Sequence, residues 1–373
     1  MIIKKNKKRI IFFLPVFAQG GASESIIKLA KFLTKNDYSV LIASIGKNFH
    51  KQDLKKIGCD IVEIKSKRAL FSIFKLRKLL KNEIKKKYKQ TILISNIHYA
   101  NIISIISCIK LKHLKIILTE RSSISELNIF PSFFSYFKNK LIFCLAKYLY
   151  KFSDLVITNS KFEKKFIKRE FKIKNIKFIY PPSITQVKII KNLKNKSKNL
   201  NKIIYVGRLS KEKGVITILK ALSQLKKKYD YIFKIYGEGS EKEKLKRFIK
   251  LNNLNNKVVF KGFTKNKDQI FKDANLFINA SWFEGLPNAL VQSINHDVFP
   301  ICSNSPGGNI EVIKNGKLGL AFKSNDVSDL KKKILIFSKK NLKINQTVKI
   351  NHLKNFTENK SNQEYLETLN NLK

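Results

Sequence analysis

Four loops in this sequence carry residue types that can hold an anion or a polyol. The first is Val206-Gly207-Arg208-Leu209-Ser210-Lys211-Glu212-Lys213-Gly214, which sets one guanidinium and two ammonium groups where a β-branched run gives way to a helical pattern. Arg and Lys together can hold a diphosphate and neutralise it as it leaves. A solvated basic loop explains Lys211 as well, but it suits Arg208 less, because arginine is scarce in this chain. The second loop, Ser281-Trp282-Phe283-Glu284-Gly285-Leu286-Pro287-Asn288-Ala289-Leu290, places a carboxylate before a Gly-x-Pro turn that opens a helix. Glu284 could bond sugar hydroxyls while the amides beyond it meet phosphate. A helix-capping acid explains Glu284 alone but not the whole string. In Gln19-Gly20-Gly21-Ala22-Ser23, and again in Asn304-Ser305-Pro306-Gly307-Gly308-Asn309-Ile310-Glu311, small residues precede a helix. Backbone N–H groups and the helix dipole can face an anion there, although Gly-Gly is also an ordinary turn.

His98, in Asn96-Ile97-His98-Tyr99, follows a strand and is the histidine best placed for a site, against the alternative of a packed core histidine. His50, His113, His296 and His352 are scattered and are assigned nothing. No Asp-x-Asp pair occurs, so no carboxylate clamp for Mg²⁺ or Mn²⁺ is visible, and neither metal nor cofactor is expected. Cys59, Cys108, Cys144 and Cys302 lie far apart without metal or redox spacing, and read as free, mostly buried thiols suited to a reducing cytoplasm.

These loops need a scaffold, and its pattern is repetitive. Short apolar runs recur at 10–14, 40–44, 61–64, 91–95, 116–119, 155–158 and 177–179, with helical spacing between them. Strands alternating with helices predict a doubly wound parallel sheet, in which ligands sit at the carboxyl ends of strands. Tyr180-Pro181-Pro182 excludes helix and marks a boundary. A second series follows at 202–206, 231–236, 258–260, 276–279, 298–302 and 319–322. The predicted organisation is an N-terminal Rossmann-like domain over 1–182, a C-terminal one over 183–345, and a helical tail over 346–373 that packs back on the first. The polar stretch Lys188–Asn201 reads as an exposed connection.

The chain has 373 residues, enough for two cores, and an apolar fraction of 43%, which excludes a disordered protein. Its 76 Lys+Arg against 26 Asp+Glu give a net charge of +50, attractive to phosphates, anionic lipid or nucleic acid. Lysine is spread along the whole sequence beside Ile and Asn, which also fits the residue usage of an AT-rich genome. The start lacks a signal-peptide pattern, and no apolar run reaches the roughly 20 residues of a membrane span. The expected location is the cytoplasm, or the inner face of the cytoplasmic membrane as a peripheral protein. Aromatics and lysines mix from Phe130 through Phe133, Phe134 and Tyr136 to Lys151. Such a helix could lie on an anionic membrane surface or turn a side to the core.

Taken together, Arg208…Lys213-Gly214, Tyr236-Gly237-Glu238-Gly239, Val259-Phe260-Lys261-Gly262-Phe263, Glu284-Gly285-Leu286-Pro287-Asn288-Ala289-Leu290 and Asn315-Gly316-Lys317-Leu318-Gly319-Leu320 resemble the family 4 glycosyltransferases, also described as glycosyl transferases group 1. The resemblance is strong over 203–322. It is weaker in the first half, where Gly20-Gly21, Thr119-Glu120-Arg121-Ser122 and Asp154–Ser160 carry it. It implies a GT-B fold, two Rossmann-like domains facing across a cleft, and metal-free retaining transfer from a nucleotide-sugar. A UDP-sugar is the favoured donor, an N-acetylhexosamine in particular. The implied acceptor is a lipid-linked or surface-polysaccharide oligosaccharide. By the same resemblance Arg208 and Lys213 hold the diphosphate, Glu284 the transferred sugar and Gly21 phosphates, with Gly20, Gly207, Gly237, Gly285, Leu286, Pro287 and Asn288 completing the donor site.

Two positions depart from the family pattern. Gln292 stands where a second glutamate usually grips the nucleotide ribose, so Gln292→Glu is expected to tighten nucleotide binding. Glu120-Arg121 stands where some members carry a histidine, leaving His98, Glu120 and Arg121 as candidates on the acceptor side. Two other readings remain open: a basic protein that binds nucleic acid or membrane without catalysis, and an inactive homologue marked by Gln292. Diffuse charge, with ordered motifs after strands, favours the enzyme without a nucleic-acid partner.

Overall fold

A computed structural model describes residues 7–17, 20–66, 69–86, 88–128, 133–189, 202–264, 266–272 and 274–372. Gln19, the segment Phe130–Ser132 and most of the connection up to Asn201 lie outside the described residues, as do the side chains of Phe133 and Phe134.

The chain divides into two compact units, Met1–Pro182 with Ser361–Lys373, and Ser183–Lys360. Each is a parallel sheet flanked by helices. The first unit runs β1 (Lys8–Leu14), α1 (Gly21–Lys35), β2 (Ser39–Ser44), α2 (Lys51–Lys56), β3 (Asp60–Glu63), α3 (Ala69–Lys85), β4 (Gln90–Asn96), α4 (His98–Cys108), β5 (Leu114–Glu120), α5 (Phe133–Leu149), β6 (Leu155–Thr158), α6 (Lys161–Phe171) and β7 (Ile176–Phe178). Its seven strands lie in the order β3-β2-β1-β4-β5-β6-β7. The central strand shows why the sheet is covered on both sides. Ile10, Phe12 and Leu14 enter one apolar cluster with α1, while Ile11 and Phe13 enter another with α3 and α4. A strand apolar at successive positions is buried on both faces, which is how parallel sheets are built.

The second unit runs β8 (Lys202–Val206), α7 (Val215–Ser223), β9 (Ile232–Tyr236), α8 (Lys242–Leu251), β10 (Val258–Gly262), α9 (Lys267–Phe271), β11 (Leu276–Asn279), α10 (Asn288–Asn295), β12 (Phe299–Ser303), α11 (Asn309–Val312), β13 (Leu320–Phe322), α12 (Val327–Lys340) and α13 (Gln346–Leu353). Its strand order is β10-β9-β8-β11-β12-β13. Strand order reverses between β1 and β4 in one sheet and between β8 and β11 in the other. These are the switch points where a doubly wound sheet opens a crevice.

The end of the chain is divided. Helix α13 stays with the second unit, where the buried Lys349 ammonium bonds Asp297 at 2.8 Å. Helix α14 (Glu358–Asn370) belongs from Ser361 onward to the first unit. Tyr365 and Leu369 join the core beneath α1, Lys8 Nζ bonds Leu369 O at 2.8 Å, and Tyr38 donates to Asn370 Oδ1 at 2.7 Å. Among the cysteines, Cys59, Cys108 and Cys302 are buried, with burial pushing each thiol up to about 12, whereas Cys144 is exposed on α5.

Candidate active site

In the second unit the residues of interest follow the two strands that flank the switch point. Strand β8 ends at Val206, and the chain passes Gly207 and Arg208 into a single 3₁₀ turn, Lys211–Lys213, before Gly214 caps α7. Strand β11 ends at Asn279 and leads to Ser281 and Glu284. Lys213 Nζ meets Glu284 Oε1 at 2.7 Å, and Ser281 Oγ donates to the same oxygen at 2.7 Å. Both members of the ion pair are mostly shielded, with side chains 17% and 14% exposed. Charges held so far from bulk water interact more strongly than a surface pair. Oε2 of Glu284 has no hydrogen-bond partner among the described residues and is the oxygen left to meet a ligand hydroxyl. The two loops are also tied by backbone, since Trp282 N donates to Glu212 O at 2.8 Å.

Arg208 differs from Lys213. Its side chain is 78% exposed and only loosely associated with Glu212, at 3.8 Å. It is an exposed cation that an arriving anion can recruit, whereas Lys213 is already placed. Lys211 lies over the Trp282 ring at 5.8 Å.

The glycines let these loops approach. A Cβ on Gly307, where φ is 119°, would stand 1.5 Å from Glu284 O, and the backbone bridge there is closed by Glu284 N donating to Pro306 O at 3.0 Å. Gly237, with φ 145°, allows the same close crossing against Gly207 O, 1.8 Å from where a Cβ would lie. Gly308 N donates to Gly285 O at 3.0 Å, and Leu286 is buried beside Gly308. Pro287 caps α10 without a side-chain bond, and Asn288 accepts from Ser183 Oγ at 2.7 Å.

Gln292 is buried in α10, and its amide donates to Ser183 O at 3.0 Å. That alters the expected effect of charging it. A carboxylate at this position would face a carbonyl oxygen, so Gln292→Glu should lower the melting temperature and leave nucleotide affinity no tighter, as thermal melts and calorimetry would show.

In the first unit Gly20 precedes α1 with φ 146°, a backbone that suits glycine, and a Cβ there would meet nothing within 4 Å. Exposed Gly21 begins the helix. At the end of β4, Ile97 holds φ at +76°, an unusual state for a β-branched residue, and it turns His98 inward. His98 and Glu120 are each 1% exposed. Glu120 accepts from the Tyr150 hydroxyl and from Asn101 Nδ2 at 2.9 Å, and burial drives its carboxyl well above the usual range. The His98 Nε2 lies 3.2 Å from Glu126 Oε1, yet neither ring nitrogen makes an aligned hydrogen bond. Burial pushes the imidazole down to about 4, so it stands there neutral and the contact is not an ion pair. Arg121 Nε bonds Asn96 Oδ1 at 2.7 Å. Glu120 thus ties β5 to α4 and Tyr150, His98 lies against Glu126 of the loop after β5, and Arg121 ties the start of that loop to the end of β4.

Sequence reasoning passed over Asn101, Tyr150, Glu126 and Glu163. The last is instructive, because Ser160-x-x-Glu163 reads as a helix capping box, and Ser160 Oγ does accept from Glu163 N at 3.1 Å. The Glu163 carboxylate, however, reaches Ile124 N at 2.7 Å and Ser123 Oγ at 2.9 Å. Burial pushes it up to about 7 from an ordinary 4.5. The folded state therefore binds this proton more tightly, so its stabilisation is present below pH 4.5 and lost as pH rises through 7. Glu163→Gln should remove that loss. Melting curves across pH 4.5 to 7 should show the variant gaining on the wild type as pH rises. The neutral His98 acts in the opposite sense, losing stability as pH falls from 6.5 to about 4, and is common to both proteins.

Comparison with known proteins identifies the family. Residues 186–362 match the family model described as glycosyl transferases group 1, and residues 19–185 match that of glycosyltransferase family 4. The chain belongs to the family 4 glycosyltransferases. It is 27% identical, over 87% of its length and 88% of the relative's, to a Campylobacter jejuni enzyme named GalNAc-α-(1→4)-GalNAc-α-(1→3)-diNAcBac-PP-undecaprenol α-1,4-N-acetyl-D-galactosaminyltransferase. A second C. jejuni N-acetylgalactosaminyltransferase is 31% identical, over 47% of this chain and 48% of that one. Among solved structures, a Rickettsia africae glycosyltransferase superposes with TM-score 0.75 at 20% identity, covering 98% and 99% of the two chains. Anabaena HepE, solved with UDP and glucose, does so with TM-score 0.75 at 18% identity, covering 97% and 99%. This glycosyltransferase therefore has the GT-B fold, with two parallel-sheet α/β domains.

Proposed function

We propose that this glycosyltransferase transfers, with retention of anomeric configuration and without a metal ion, a sugar from a UDP-sugar to a lipid-linked oligosaccharide, an N-acetylhexosamine being the sugar favoured. The observation that carries the reading is the Lys213–Glu284–Ser281 cluster at the switch point of the second sheet. When the bond between the anomeric carbon and the diphosphate oxygen breaks, its electron pair stays on that oxygen. Lys213 and the recruitable Arg208 offset the growing charge. Glu284 Oε2 accepts from a sugar hydroxyl and fixes the ring. The acceptor hydroxyl oxygen forms the new bond to the anomeric carbon, and its proton passes to the departing diphosphate oxygen. The C. jejuni relative, whose name specifies N-acetylgalactosamine and an undecaprenyl diphosphate carrier, supports this donor and acceptor class.

The test is a panel of nucleotide-sugars scored by protection from melting and by release of nucleoside diphosphate. UDP-N-acetylhexosamines should protect best, and binding and turnover should persist in excess EDTA. Activity lost in EDTA and restored by Mn²⁺ would overturn the metal-free mechanism, and no response to any nucleotide-sugar would indicate an inactive homologue.

A further inference from the structure

The amino end of the first sheet lies opposite the end that carries Gly20, His98 and Arg121, and it holds a cavity of about 530 Å³ where α3 ends and β4 and β5 begin. Lys89, His113 and Lys115 line this cavity, and no Asp or Glu does. Lys115 is steadied by Asp154 Oδ1 at 3.0 Å. Lys89 and His113 are exposed and have no carboxylate partner among the described residues. The Lys89 charge also reaches Lys8, where burial first and Lys89 second hold the ammonium below its usual range. An anion beside Lys89 would ease that repulsion. The rest of the wall is of another kind, since Ile84 and Leu114 make it apolar and Tyr88 adds an aromatic ring. The ring is held by buried Arg9, whose guanidinium carbon lies 5.4 Å from its centre and which is itself fixed by Glu83 at 2.8 Å and Asp60 at 2.7 Å. An adjoining hollow of about 340 Å³ shares Lys89 but is lined by Asp37 as well, so it suits an anion less.

We propose that this cavity is a second nucleotide site, which takes a nucleoside diphosphate with its base against Tyr88 and the apolar wall and its diphosphate on Lys89, His113 and Lys115. An apolar wall with a few converging polar groups is the usual make-up of a small-ligand site, and the volume falls within the usual range of about 300–1,000 Å³. A bare inorganic anion would meet the cations but leave the ring and the apolar wall without a counterpart. A neutral sugar would leave the cations so. The site uses none of the residues assigned to transfer and lies at the end of the sheet away from the crevice, so binding here leaves the crevice open. Transfer from a nucleotide-sugar releases this class of molecule, which gives the site a ligand that the reaction itself supplies.

The experiment is calorimetric titration of the full chain with UDP, and separately with pyrophosphate, at physiological salt and beside thermal melts. Lys89→Gln combined with His113→Gln should bind one UDP fewer per chain than wild type, or hold it at least about tenfold more weakly. The same deficit should appear when Lys213→Ala is the starting protein, because the donor site lies in the other unit. Tyr88→Leu should weaken UDP at this site and leave pyrophosphate unchanged. Lys31→Gln combined with Lys35→Gln removes exposed charge from α1 and should bind as wild type. Three results would overturn the proposal: no UDP deficit in the Lys89, His113 variant, an equal deficit in the α1 control, or pyrophosphate bound at this site as tightly as UDP. The second would mean diffuse attraction to a chain of net charge +50. If Tyr88→Leu melts early, the exposed Lys89, His113 pair still decides, since full UDP binding there would remove the site. Nucleotide-sugar protection, read on the same samples, reports on the second unit, so a failure here is distinguishable from a failure of the transfer reading.

Discussion

Lys213→Ala is expected to lower kcat by about 10²–10³ fold, the usual effect of removing one preplaced charge from a leaving group. Lys213 is fixed by Glu284 before any ligand arrives, at 2.7 Å and largely out of solvent. Its contribution should therefore grow with charge on the diphosphate instead of being spent on ordering a flexible side chain. Removing it also leaves the Glu284 carboxylate with Ser281 as its one remaining partner among the described residues, so a modest fall in melting temperature accompanies the kinetic loss. Arg208→Ala should separate from it. A side chain 78% exposed must be ordered by the donor, so this variant should lose donor affinity as well as kcat while its melting temperature stays put. Lys220, exposed on α7, supplies the control. Lys211 is less suitable because it lies against Trp282. Steady-state kinetics with near-normal kcat in both variants would remove the electrostatic account.

The second large effect is expected at Gly307. Gly307→Ala sets a methyl group 1.5 Å from Glu284 O, and the three nearest atoms are all Glu284 backbone, with no flexible side chain to yield. The bridge between the two loops must open, costing about 3 kcal/mol or more, and Glu284 moves with it. Donor binding should fall on the order of a hundredfold, measured by calorimetry on folded protein. Gly20→Ala is the informative contrast, because φ is unfavourable there too but the space is open. It should cost only about 1–2 kcal/mol and act on stability of the first unit. Equal effects at the two glycines would mean that backbone conformation, not the Glu284 contact, governs Gly307.

Much of the scaffold can be read without coordinates. The β-branched runs of both halves become strands within a residue or two of where the pattern places them, because a strand covered on both faces must be apolar at nearly every position. The loops after β8 and β11 are legible for a related reason, since polar and glycine residues interrupt those runs where a doubly wound sheet presents its strand ends.

Long-range pairings were not legible. Lys213 and Glu284 lie in separate loops, and only the strand order that puts β8 beside β11 brings them to one oxygen. Glu163 looks like a capping residue until packing turns its carboxylate to Ile124, and Gln292 looks free for a ligand until its amide is seen on Ser183. For α5 the sequence leaves two orientations open, and packing decides between them by burying Ile142 and Ala146 and leaving Phe137, Leu141, Leu145 and Tyr148 exposed. Sequence determined which residue types follow which strands, since local spacing decides secondary structure. Which partner each polar group takes was decided by the tertiary fold, because a carboxylate or an amide bonds whatever the crossing of distant backbone brings within about 3 Å of it.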